Sequence, residues 1–228
     1  MKEIFLALLI TNAFVPATAQ TISRINLAAD GNISLIIGLD EDVFLYLTKD
    51  GNLSKWGFDK YAASGVENYR DAVVNYEGRT EYYTDNDDAA LRGKVKYIGK
   101  TMVTWYASYD NDAQRGKIKS IGNINFDYYQ GYENEAFRGN IKNIGQKGVT
   151  WYSSFDNKAI KGKLKSLGAT NFTWYTSLDD VATSGKIKSI GAASFTWYSS
   201  FDRSEYRGSM KSGAPAQYVN GIKYIIRN

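Results

Sequence analysis

A tyrosine and a lysine recur together at a fixed spacing of 23 residues: Tyr106, Tyr129, Tyr152, Tyr175 and Tyr198, with Lys96, Lys119, Lys142, Lys165 and Lys188 in the same register. Phenols and ammonium groups repeated along one surface suit a glycan, and two strands advance about 10 Å, the order of a disaccharide. Ahead of each tyrosine stands Trp105, Tyr128, Trp151, Trp174 or Trp197. Flat aromatic surfaces stack on sugars, bases and cations, but in small β domains they more often supply buried area, so these are assigned to the core. An acid follows in every copy (Asp110, Glu133, Asp156, Asp179, Asp202). A glycosidase needs one pair of carboxyls facing one bond, and an acid repeated in each copy does not describe that pair. Asp85, Asp87 and Asp88, and also Asp40, Glu41 and Asp42, offer oxygen to Ca²⁺. Neither cluster has an EF-hand pattern, so both are read as solvated loop acids and no cofactor is expected.

The 228-residue chain contains neither histidine nor cysteine. That removes Ser-His-Asp and Cys-His nucleophilic centres, imidazole or thiolate zinc sites, and a histidine general base. The formal charge of +4 hides an asymmetry: residues 20–92 carry 7 basic and 13 acidic side chains, net −6, and residues 93–213 carry 18 and 10, net +8. The two regions are expected to attract each other, within or between molecules. The lysines are dispersed through the period rather than clustered, so nucleic acid is not expected as a partner.

Glycine opens each copy at residues 93, 116, 139, 162, 185 and 208. Fixed self-similarity of this kind defines a repeat architecture. With that glycine as the first position, the third is Val, Ile or Leu, the fourth is always Lys, and the seventh is Gly again. The eleventh is Val or Phe, the thirteenth Trp or Tyr, the fourteenth Tyr and the seventeenth aromatic or Leu. Alternating aromatic and β-branched residues between glycines predict two short strands per copy. In a parallel solenoid the lysines would stack at about 4.8 Å, whereas an antiparallel meander separates them by about 9.6 Å, near the Debye length. The expected fold is therefore all-β: an antiparallel β meander of tandem two-strand repeats, open and twisted or rolled into a barrel. A three-residue link over the eighth to tenth positions would place the third, fifth, eleventh, thirteenth, fifteenth and seventeenth positions on one apolar face. Lysine, tyrosine and the acid would then form a polar ladder opposite. A two-residue link would mix lysine with tryptophan, because a one-residue slip exchanges the faces, and is rejected on that ground.

Residues 1–19 read as a secretory signal peptide: Lys2, an apolar run over residues 4–9, and Ala17-Thr18-Ala19 before Gln20. Residues 20–69 are expected to form a β-hairpin cap, with Asp30-Gly31-Asn32 and Asp50-Gly51-Asn52 as turns. Residues 70–228 hold a degenerate copy from Arg70, five full copies over residues 93–207, a partial sixth over residues 208–213, and a closing hairpin around Asn220-Gly221.

The copies running from Gly-Lys-Ile-Lys-Ser-Ile-Gly to the Trp-Tyr pair and its acid resemble exported tandem β-hairpin-repeat proteins of Gram-negative bacteria. That resemblance implies architecture and export, with no activity to transfer. A fainter similarity links the chain to choline-binding cell-wall repeats, which also place Trp-Tyr in a hairpin; the period here is longer and that family's glycine-tryptophan dipeptide is missing. The expected function is that of a non-catalytic exported repeat protein working through an extended β surface, in envelope structure or protein contacts, in the periplasm, at the cell surface or outside the cell. The alternative is a glycan-binding module using the Tyr/Lys ladder, with a cell-surface or extracellular polysaccharide as partner. No transmembrane span is expected, since the lysine-bearing strands are shorter than the ~9 to 11 residues a spanning strand needs.

Overall fold

The computed structural model describes residues 21–28, 31–39, 42–59 and 73–227. The leader, the cleavage site, Asp30, Asp40, Glu41 and Arg70 lie outside the described residues. What is described is all-β and open, with successive strands paired antiparallel. The N-terminal strands are β1 (Thr21–Ala28), β2 (Ile33–Gly38), β3 (Val43–Thr48), β4 (Leu53–Asp59) and β5 (Val73–Val74). The array follows as β6 (Thr80–Tyr82), β7 (Val95–Ile98), β8 (Thr101–Trp105), β9 (Ile118–Ile121), β10 (Ile124–Tyr128) and β11 (Ile141–Ile144). It continues as β12 (Lys147–Trp151), β13 (Leu164–Leu167), β14 (Thr170–Trp174), β15 (Ile187–Ile190) and β16 (Ala193–Ser194), then the pair β17 (Thr196–Trp197) and β18 (Met210–Ser212). The final hairpin, β19 (Ala216–Val219) and β20 (Ile222–Arg227), leaves the array: β20 pairs parallel with β1, giving a seven-stranded sheet of order β19-β20-β1-β2-β3-β4-β5.

Each repeat hairpin turns on two residues. Ile98 pairs with Thr101, and Leu167 with Thr170, leaving Gly99-Lys100 and Gly168-Ala169 as the links. Gly99 has φ +59° and Gly168 +54°, while the residues after them are not left-handed, the signature of a type II′ turn whose twist suits a hairpin. This corrects the three-residue link. The objection to a two-residue link fails because of a β-bulge. Between copies Thr104 pairs with Ser120 but Trp105 pairs with Ile118, so Lys119 is the extra residue. The shift recurs at Tyr128, Trp151, Trp174 and Trp197. A bulge sets two consecutive residues on the same side. The third and sixth positions (Ile118, Ile121) therefore both point inward, and the lysine and the fifth position both point outward. The fifth position is thus not on the apolar face, and the sixth, eleventh and thirteenth are, joined by the ninth in the copies of Thr101, Ile124 and Thr170 but not at the exposed Lys147.

The seven-stranded sheet lies over the apolar face of the array, and the buried side chains of both form one continuous core. Tyr224 of β20 meets Phe172 of β14 edge-on with ring centroids 5.6 Å apart, and Asn220 donates to the Thr170 hydroxyl at 2.8 Å. At the other side of the interface the turn between β3 and β4 reaches the junction of the second and third full copies. The Ile141 N–H donates to the Lys49 carbonyl at 2.9 Å, and Gly51 sits so close to the Tyr128 hydroxyl that a Cβ there would collide with it.

Candidate functional surface

The Tyr/Lys ladder exists as a contact, with partners drawn from adjacent copies. Lys119 lies 5.3 Å from the Tyr106 ring centroid, Lys142 5.2 Å from Tyr129, Lys165 5.4 Å from Tyr152 and Lys188 5.3 Å from Tyr175. Lys96 stacks on Tyr83 of the degenerate copy and Lys211 on Tyr198. The tyrosines are half-buried, and the hydroxyls of four of the five are used. Tyr106, Tyr129, Tyr152 and Tyr175 donate to the carbonyls of Phe126, Val149, Phe172 and Phe195 at 2.9, 2.9, 3.0 and 3.1 Å, each in the next copy. Burial pushes these four phenols above the ordinary tyrosine value.

The bulge explains why such side chains are required. Within a hairpin the strands pair at only two positions, as at Tyr97–Met102 and Ile98–Thr101. The carbonyls beyond them need donors, since a buried unmet carbonyl is costly. On the inner side the Trp105 indole N–H donates to the Val95 carbonyl at 2.8 Å, and Trp151, Trp174 and Trp197 repeat the bond to Ile141, Leu164 and Ile187. Tyr128 does the same through its hydroxyl to Ile118 at 2.7 Å. The outer side is served by the tyrosine of the preceding copy. Beside them Thr104–Ser120, Thr150–Ser166, Thr173–Ser189 and Thr196–Ser212 hydroxyl pairs cross the strands at 2.6 Å. The outer face is thus a lattice whose polar groups bond to one another.

The acids have local duties in the loops that return from one copy to the next. Asp156 accepts from the Ser153 hydroxyl and N–H, Asp179 from the Thr176 N–H and hydroxyl, and Asp202 from Ser199 in both ways. These bonds hold all three below the ordinary carboxylate value. One residue on, Asn134, Asn157 and Asp180 cap their own loop and also bind Ser154, Ser177 and Ser200 of the next, tying the loops into a row. Asp87 and Asp88 act likewise toward Thr84 and Ser108. Among the described residues no cluster of acids is arranged to hold a metal ion.

The seventeenth position is the largest departure from expectation. Tyr109, Tyr132, Phe155, Leu178 and Phe201 do not join the tryptophans: they are 86, 86, 93, 91 and 94% exposed. The strand ends at the thirteenth position, and alternation stops with it, so these side chains stand at the tips of successive loops. All five loops leave the same edge of the meander, which spaces the tips by about two strand separations, roughly 10 Å.

Comparison with protein-family models, with curated proteins and with solved structures finds no match. The chain's own copies show which positions the fold constrains. Where the fold makes no demand, the copies have diverged: the twentieth position is Asp112, Glu135, Lys158, Val181 and Ser204, and the eighth is Lys100, Asn123, Gln146, Ala169 and Ala192. At the seventeenth a large apolar side chain persists through all five full copies although it packs against nothing. The fold therefore does not account for an apolar side chain at this position in every full copy. A bulky apolar residue inside an Asp/Asn/Ser-rich return loop is the sequence signal that would have exposed the row.

Proposed function

We propose that the chain is a non-catalytic, exported scaffold that acts in the cell envelope through an extended, repeat-spaced surface, and that this surface is the row of loop tips. The observation that carries the reading is the persistence of Tyr109, Tyr132, Phe155, Leu178 and Phe201 at full exposure beside neighbours that have drifted. The glycan reading of the Tyr/Lys ladder has less support, because four of the five phenol hydroxyls are spent on backbone carbonyls and a lysine lies over each ring. The test replaces all five tip residues with serine in the full-length chain and follows both the melting temperature and the share of protein recovered with the envelope fraction. Loss of envelope association at an unchanged melting temperature is the expected result. Retained association overturns the reading.

A further inference from the structure

We infer that the loop-tip row docks on a lipid surface bearing anionic headgroups, and that its C-terminal half is the inserting part; this rests on the row being the working surface. Along the row the chemistry changes. Tyr109 and Tyr132 come first, and the later tips are Phe155, Leu178 and Phe201, joined by Val181 at 81% exposure. Tyrosine suits the headgroup level, where one end of the ring is wet, and Phe, Leu and Val suit the acyl boundary. Leu178 discriminates between partners. A lipid interior accepts an aliphatic side chain as readily as an aromatic one, whereas stacking on a sugar requires a flat ring. The spacing also discriminates: tips about 10 Å apart are separate fingers rather than a continuous patch. A folded protein would need a matching series of pockets, and a fluid bilayer needs none.

Charge agrees with this occupant. Lys158, Lys161, Arg203 and Arg207 are exposed on the same loops as Phe155 and Phe201. The Arg207 Nε donates to the Asp202 carbonyl at 2.9 Å, which holds its guanidinium beside the tip that carries Phe201. Asp156, Asp179, Asp180 and Asp202 accept N–H and hydroxyl bonds within and between these loops, Lys161 pairs with Glu135 of the preceding loop at 2.7 Å, and Glu205 is exposed on the loop of Phe201. Over residues 153–213 there are 9 basic and 5 acidic side chains, net +4. Basic residues near a bilayer gain from the negative surface potential of anionic lipid, over a range of one Debye length.

The experiment is co-sedimentation of the folded chain with vesicles of phosphatidylcholine, with and without phosphatidylglycerol. Binding is expected to phosphatidylglycerol-containing vesicles, to weaken with added salt, and to fall about tenfold or more in F155S/L178S/F201S. In a second variant, Phe155→Trp, the indole fluorescence should shift to the blue on adding those vesicles. Absence of wild-type binding to either vesicle overturns the lipid assignment, as does equal binding by the triple variant. If the vesicles fail while the five-serine variant still loses envelope association, the row remains the working surface and its partner is a glycan or a protein. Failure of both measurements removes the row itself.

Discussion

In the seven-stranded sheet, Arg24, Asn26, Ile36, Tyr46 and Ile225 alternate with the shared core and lie on its far side, yet all five are buried. In the array the corresponding outward positions are lysines, serines and threonines in contact with water. The first sheet therefore meets its polar demand deep inside: Arg24 pairs with Asp59 at 2.8 Å, with both side chains almost inaccessible, and also donates to the Tyr46 hydroxyl at 2.9 Å. The array meets it many times and near the surface, through Thr–Ser pairs, Lys–Tyr stacks and loop caps that each copy shares with the next. Concentrated polarity makes one sheet depend on single residues. Distributed polarity makes the other tolerant, and that tolerance lets the loop tips change chemistry along the row without harm to the fold.

The contrast is broken most directly at Asp59. Asp59→Ala should destabilise by about 3–5 kcal/mol, the cost of leaving one partner of a buried pair alone; a loss smaller than that of any lattice variant below, in urea titration, would remove the distinction. Trp174→Ala belongs to the common core and should cost a similar ~3–5 kcal/mol, since it opens a cavity and also strips the Leu164 carbonyl of its donor. Next comes Gly168→Val. Space is available beside Lys147, so the expected loss of about 1–2 kcal/mol is the strain of a left-handed L-residue at φ +54°, and an unchanged melting temperature would contradict the type II′ assignment.

Tyr175→Phe isolates one lattice bond and should cost about 1 kcal/mol. The same lattice has a signature in alkali. Phenols with a folded pKa raised above the ordinary tyrosine value of 10.0 contribute stability that is complete below pH 10.0 and lost as pH rises through the folded value. Alkaline unfolding should accordingly be shifted in a variant carrying Phe at Tyr106, Tyr129, Tyr152 and Tyr175. The smallest effect belongs to F155S/L178S, within about 0.5 kcal/mol of wild type, because neither side chain packs. A larger loss would return the tips to the core and dissolve the surface argument.

The 23-residue period, the antiparallel pairing and the burial of the tryptophans were all readable from residue order. So was the nearness of lysine to tyrosine. The bulge at Lys119 was not, because alternation read along one strand cannot register an extra residue opposite a partner strand. That extra residue is what makes a two-residue turn compatible with the faces and takes the fifth position off the apolar one, whereas the seventeenth leaves it because the strand ends at the thirteenth. The buried far side of the first sheet had a sequence trace: Leu35-Ile36-Ile37 and Leu45-Tyr46-Leu47 are unbroken apolar runs, as a strand covered on both faces requires.

A sheet laid over a periodic partner faces a problem of translational degeneracy, since every step of one copy presents nearly the same ridges and hollows. Tyr128 breaks it. The other full copies carry an indole at this place, and the Asp50-Gly51 turn approaches the ring so closely that even a Cβ on Gly51 collides with the phenol. The next copy begins Gly139-Asn140, where the other full copies have lysine in second place, and Asn140 is buried beneath the same turn. Two small departures from the repeat thus act as a key cut for one lock. Tyr128→Trp would fill the keyway and remove one of the two features that set this berth apart from its neighbours one copy away, leaving Asn140 alone to hold the register.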